Sequence, residues 1–393
     1  MKRYVSSVVA FGAVWLAACG DHTTTQPRLT AGTVTASADL DDFRGRHAVG
    51  GVYVATNATT GNAVVAFTRY DNGALAKIGE FKTGGVGVGG GVDPLFSQGS
   101  VVLSPNNKRL YVVNAGSNSI STFSVSDDAS LRLLGTVSSR GSGPISLALM
   151  NDRLYALNRD NTISGFSVDG YDLPRAISRA HLTLGAAIDG PSTINVSHNG
   201  KFLFVTQRVA NAIDVIAVSS NGDLNTTSRR TSSGGGPFGF AVTDHDQLIV
   251  SEASGSAPNG AVSSYRLISG GKLALSSSSL STHQAATCWL VLTKDERFAF
   301  AANAGSGSIS GYDVSADGSL APLDGNGRTG VTNGVGATPL DMDVTRDGKF
   351  LYVLQTGTGT VGAFAIGFHA HLTTLADTPG LSATAGFQGV AAF

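Results

Sequence analysis

Three ionic residues stand at or one place beyond equivalent points of a sequence that is otherwise poor in charge: Glu252 in "LIVSEA", and, one position further along their repeats, Arg159 in "ALNRD" and Arg208 in "VTQRV". An arginine can hold a carboxylate or phosphate through two parallel N–H donors. A glutamate near a lactone carbonyl can activate water, with a guanidinium or amide on the developing oxyanion. The position of Glu252 recurs along the chain as Thr56 or Asn57, Asn114, Asn158, Gln207, Asn303 and Gln355, so one carboxylate is set in a ring of amides. Arg208 is expected beside Glu252 if successive segments are neighbours. Gln98, His283, Trp289, Asp341 and Gln388 add to what reads as a polar funnel for a small oxygen-rich ligand. Glu252 and Arg208 are the catalytic candidates. Arg159, Asn114, Gln207, His283, Trp289, Asn303, Asp341 and Gln355 are the ligand-binding ones.

The competing reading of the same residues is structural. Amides at strand ends satisfy loop backbone, and Glu252 with Arg208 forms an internal ion pair. Asp341 and Asp343, two apart on one strand, read as hydrogen-bonding groups. No His, Asp or Glu cluster has metal-ligand spacing, so neither a metal nor a cofactor is expected. "GGVGVGGGV" contains Gly85-x-Gly87-x-x-Gly90, but it lacks the helix that a dinucleotide fingerprint requires and reads as a long connection. No G-x-S-x-G nucleophile elbow is present either: "GTGTVG" and "GSGSISG" fall in turns.

The elements that must position these residues follow from internal repetition. "NNKRLYVVNAGSNSISTFSV" (106–125) returns as "NDRLYALNRDNTISGFSV" (151–168), "NGKFLFVTQRVANAIDVIAV" (199–218), "DERFAFAANAGSGSISGYDV" (295–314) and "DGKFLYVLQTGTGTVGAFAI" (347–366). Looser copies begin at Gly50 and His245. Each copy reads strand, Gly/Asn turn, strand. An apolar strand precedes it, as in "SVVLS" or "WLVLT", and a more polar one follows, as in "LRLLGTVSS". Four antiparallel strands per repeat make a propeller blade. The first repeat lacks its preceding strand, and "FQGVAAF" (387–393) matches "SQGSVVL" (97–103). The terminal segment is therefore expected to pair with the strand near Val52 and close an all-β, seven-bladed ring, removing the exposed edge.

The bulk numbers agree. With 393 residues, 51 of them glycine, 14% charged residues and a net charge of −1, the chain has no basic surface for nucleic acid. "MKR" followed by "YVSSVVAFGAVWLAA" reads as a signal peptide over 1–18. It ends in Leu16-Ala17-Ala18-Cys19, which resembles a bacterial lipobox, so lipidation at Cys19 is expected. Residues 19–46 are polar and aperiodic and read as a tether, and 47–393 form the propeller. Cys288, in "TCWLVLT", reads as core packing. The expected state is an exported monomer, anchored by lipid to the cell envelope on its periplasmic or extracellular side.

"DGKFLYVLQTGTGTVGAFAI…LTTL" and "GGGPFGFAVT…LIVSEA" resemble the seven-bladed lactonase family, which includes bacterial 6-phosphogluconolactonase and fungal carboxymuconate lactonizing enzyme. The likeness runs from about Gly50 to the closing strand. It implies a site over the channel built from His, Glu and Arg. Glu252 matches the Glu, whereas Phe238 and Gly239 stand where Arg and His are expected, and Ala304 stands where Arg is expected. Two functions fit. One is a lactonase-like hydrolase acting on a sugar lactone or related acid in the envelope, with weak or no 6-phosphogluconolactonase activity. The other is a non-catalytic propeller that holds a small ligand, a glycan or a protein partner.

Overall fold

The computed structural model describes residues 47–393, apart from Tyr171, 254–259, Val335, 384–385 and the side chains of Thr226 and Thr227. The proposed signal peptide, Cys19 and tether lie outside the described residues. The described strands form seven antiparallel sheets. From inside outward, blade 1 is Gln388–Ala392, Ala48–Ala55, Ala63–Tyr70 and Leu75–Lys82. Blade 2 is Val101–Leu103, Arg109–Asn114, Ser119–Val125 and Leu131–Ser138. Blade 3 is Pro144–Met150, Arg153–Asn158, Thr162–Ser167 and Arg175–Thr183. Blade 4 is Pro191–Val196, Phe202–Gln207, Ala212–Val218 and Leu224–Thr231. Blade 5 is Pro237–Val242, Gln247–Glu252, Ala261–Ile268 and Lys272–Ser281. Blades 6 and 7 begin with Thr287–Leu292, Phe298–Asn303, Ser308–Val314 and with Pro339–Val344, Phe350–Gln355, Thr360–Ile366. In these two the outer strand is broken into Leu320–Pro322 with Gly330–Val331, and Leu372–Thr374 with Thr378–Pro379. Proline cannot donate to the ladder, and in blade 6 Pro322 falls where it breaks.

Second strands such as "FAFAAN" and "FLYVLQ" are buried along their whole length, because both faces of a blade pack on neighbouring blades. Outer strands such as "LRLLGTVS" are buried only at their first residue and otherwise partly or fully exposed. The joints repeat. Tyr53 of blade 1 donates its hydroxyl to Ala129 O of blade 2 at 3.0 Å, and Tyr352 of blade 7 donates to Gly73 O of blade 1 at 2.9 Å. The joint that closes the ring thus has the chemistry of an ordinary one. The closing strand pairs as expected, Val52 with Ala392 and Tyr53 with Ala391. It is also pinned by Arg69 Nε to Phe393 O at 2.7 Å and by Ala392 N to Asp343 Oδ2 at 2.8 Å.

Candidate functional site at the head of the channel

Inner-strand starts and second-strand ends meet on one face, as the pairs Pro144–Asn158, Pro191–Gln207, Pro237–Glu252, Thr287–Asn303 and Pro339–Gln355 show. The second-strand ends nevertheless do not point at the axis. Side chains stand perpendicular to a sheet, and a blade's faces look toward its neighbours, so these residues fill polar seams. Asn114 donates to Ser121 Oγ at 2.7 Å and accepts from Asn62 of blade 1 at 3.0 Å. Gln207 donates to Asn161 of blade 3 at 2.8 Å and to Asp214 at 3.0 Å. Asn303 accepts from Thr287 at 2.6 Å and donates to Ser310 at 2.9 Å. Asn158 bonds Thr162, and Gln355 faces Asn333 and Asp377.

Glu252 belongs to the same set. Its Oε1 accepts from Gly234 N at 2.7 Å and from the Ser263 hydroxyl, and its Oε2 accepts from Ser279 Oγ at 2.6 Å. The residue is fully buried. No ion pair joins it to Arg208 among the described residues, contrary to the expected pairing. The shared environment is a seam between strands of blade 5, and the Arg208 side chain lies elsewhere. His283 is exposed, in a left-handed turn with φ 55°, and its backbone N–H donates to Ser281 Oγ at 3.0 Å.

What occupies the axis is the long glycine-rich connection between blades 1 and 2. Asp93-Pro94 opens a turn in which Phe96 N donates to Asp93 Oδ1 at 3.0 Å. The next residues bond to blade after blade. Ser97 Oγ donates to Ile145 O (2.8 Å) in blade 3. Phe96 O accepts from Ser192 (2.8 Å) in blade 4, and Ser97 O accepts from Trp289 Nε1 (3.0 Å) in blade 6 and from Gln388 Nε2 (3.0 Å) in blade 1. Gly99 N reaches Asp341 Oδ2 (3.2 Å) in blade 7. Gln98 is received by blade 6 as though it were a strand residue: its Nε2 donates to Leu290 O (2.8 Å) and its Oε1 accepts from Leu290 N (2.9 Å). A short segment that touches these blades at once must cross the axis, so it forms a plug. Trp289 and Asp341, expected to meet ligand, are instead buried anchors of this plug. Burial pushes the Asp341 carboxyl up to about 7.

At the rim of the plug the structure gathers a second group. Arg159 donates from Nη2 to Pro94 O at 2.8 Å. Arg208 lies over the Phe96 ring, 5.2 Å from its centroid. Both guanidiniums feel the charge of Asp93, whose carboxyl is almost fully buried. Of the residues singled out in the sequence, Arg159, Arg208, Trp289 and Asp341 are thus brought round one segment, while Asn114, Gln207, Glu252, Asn303, Gln355 and His283 are not. Asp93 and Phe96 were missed. The available signal was a lone Asp-Pro in a connection too long for a blade turn. Below the plug the channel opens to the other face as two adjoining cavities of about 260 and 340 Å³, which share Gln98, Lys294 and Asp343.

The family model of the lactonase with a 7-bladed β-propeller matches residues 52–172, 175–257 and 250–386. The chain belongs to this lactonase family. Similar solved structures include a periplasmic gluconolactonase from Pseudomonas aeruginosa, at 14% identity and TM-score 0.65 over 86% of this chain and 98% of that one. A proposed 6-phosphogluconolactonase from Bacteroides uniformis matches at 15% identity and TM-score 0.68, over 88% and 100% of the two chains. A Lactobacillus plantarum protein matches at 16% identity and TM-score 0.70, over 88% and 100%. No curated protein matches significantly. In this chain the departures at Phe238 and Gly239 have a physical reason. Phe238 packs edge-on to Trp289 at 5.2 Å, in the core. A Cβ on Gly239 would lie 2.2 Å from Gln98 Oε1 and 2.6 Å from Cys288 O, so the plug takes the space a histidine would need.

Proposed function

We propose that this lactonase-family protein binds a small, oxygen-rich carboxylic acid or its lactone at the channel head, with Arg208 and Arg159 as anchors, and hydrolyses the lactone. One observation supports this most. The Arg208 guanidinium is half-buried, its five N–H donors find no hydrogen-bond acceptor among the described residues, and Phe96 holds it from below. Such a group suits a carboxylate, or the oxyanion that develops when water adds to a lactone carbonyl. Glu252 is assigned a structural part, because donors already occupy both of its oxygens.

The test is a panel of sugar lactones, the 6-phosphogluconate lactone included, on the folded domain. We expect turnover to fall about 100-fold in Arg208→Ala, the scale of a lost oxyanion donor. In Glu252→Gln it stays within a few-fold while stability drops by about 1–3 kcal/mol, the cost of leaving buried donors unpaired. No turnover on any lactone by the wild type would sink the hydrolytic half. Binding without hydrolysis is the second reading, favoured by the saturation of Glu252 and by Ala304 at an arginine position of the family. The lipobox-like run at Cys19 and the periplasmic placement of one structural relative support an envelope location. Cys19→Ser should release the protein from membranes, and unchanged retention of a normally cleaved variant would refute the anchor.

A further inference from the structure

Exposed apolar side chains scattered singly need no explanation. Two stand together beside the arginine anchor: Ile188 is 73% exposed and Val209 is 54% exposed. Backbone bonds bring their segments alongside each other at the head of blade 4. Arg208 N donates to Gly190 O at 2.7 Å, and Val209 N and Ala210 N donate to Asp189 O at 3.0 and 2.9 Å. The Val209 side chain lies over Gly190, where an added Cβ would come within 2.6 Å of it. Ala187 and Ala210 are exposed as well, so the strip next to Arg208 is apolar surface.

The fold does not require this strip. The same pair of backbone bonds recurs in blade 3 (Arg159 to Gly143, Asp160 to Ser142), in blade 6 (Ala304 to Ala286, Gly305 to Ala285) and in blade 7 (Thr356 to Thr338, Gly357 to Ala337). In that register the place of Val209 is taken by Asp160, Gly305 and Gly357, and the place of Ile188 by Gly141, Gln284 and Gly336. Polar residues and glycine therefore serve the joint equally well. Of these four blades, blade 4 is the one that puts two branched hydrocarbon side chains in water there. It is also the blade whose arginine keeps its guanidinium donors unpaired among the described residues, stacked on the Phe96 ring. Taking such side chains out of water is favourable only when something apolar covers them.

We propose that the acid or lactone bound at Arg208 carries an aliphatic arm of a few carbons, laid outward from the guanidinium across Ile188 and Val209. This rests on Arg208 being the anchor, and it narrows the ligand to an amphipathic one. The carboxylate or lactone carbonyl takes the guanidinium donors, and the arm covers the strip. A fully hydroxylated acid would set hydroxyl groups against hydrocarbon there and lose their bonds to water.

The probes are gluconate and the straight-chain butanoate, hexanoate and octanoate, titrated calorimetrically into the purified protein at pH 7, where all are ionised. Affinity should rise about two- to fourfold per added methylene, the upper figure being that of a fully buried one. In the double variant Ile188→Gln, Val209→Ser that increment should disappear. Phe368→Ser, which removes an exposed ring beside Thr293 and Asp347 on the opposite face, should keep it. Arg208→Ala should weaken the whole series about tenfold or more, the scale of a lost hydrogen bond to a charged group. Gluconate binding with no rise along the series overturns the arm and leaves the anchor standing, the result expected if the strip instead meets a protein or a membrane. A rise that survives the double variant, or that is lost in Phe368→Ser, overturns the assignment to Ile188 and Val209. No binding of gluconate or of any chain overturns the anchor itself, and the arm with it.

Discussion

Asp93 shows how one side chain can be read only from its partners. Its neighbours in sequence, "GGGVDPLF", offer a turn former and nothing more. The fold supplies the rest by burying it at the axis near Arg208, Asp341 and the Gln388 amide. A carboxyl whose folded value is raised binds its proton more tightly in the native state than when unfolded. Stability then declines as pH rises from the unfolded value near 3.8 to the folded value of about 8, and levels off above it. Asp93→Asn removes that dependence. We expect its Tm to match the wild type's near pH 4 and to exceed it by a margin that grows up to about pH 8. Thermal denaturation across that range checks this. A variant that melts below the wild type at pH 8 would mean that an ionised Asp93 stabilises the ring.

At the scale of elements, strand content was legible and side-chain direction was not. The repeats announce their strands through Val, Tyr and Phe runs, because every blade solves the same packing problem. Asn114, Gln207 and Glu252 were read as ring members from their equal positions, and equal positions they have. One strand removed from the axis, however, their side chains face the preceding blade or the third strand. The element that does reach the axis is irregular, so no period reveals it. Its fit can be tested at Gly239, where an added Cβ meets Gln98 Oε1 at 2.2 Å and the Cys288 carbonyl at 2.6 Å. Gly239→Ala should cost about 1–3 kcal/mol, the range for overpacking a filled site. Gly239→His, which installs the family residue, should cost more and add no lactone turnover. If Gly239→His folds as well as the wild type and hydrolyses lactones faster, the plug is not the fixed element described above.

The whole molecule is held by closure. The strand Gln388–Ala392 supplies blade 1 with its inner edge, bonds the plug through Gln388 and bonds blade 7 through Asp343. Arg69 reaches across to Phe393 O. Removing residues 388–393 therefore breaks the sheet of blade 1, unties the plug from it and opens the joint between the first and last blades. An open ring has two exposed edges, and its blades no longer melt as one unit. The intact domain should unfold in a single transition, the behaviour of a cooperative ring, with the same midpoint by fluorescence and by circular dichroism. The truncated chain should show separated transitions or aggregate. Tyr352→Phe opens only a hydrogen bond of the closing joint. It should cost no more than Tyr53→Phe, about 1 kcal/mol each, because the two joints are chemically alike. A Tyr352→Phe cost several times that of Tyr53→Phe would show that the closing joint carries strain the others lack. An unchanged single transition in the truncated chain would show that the terminal strand does not hold the ring together.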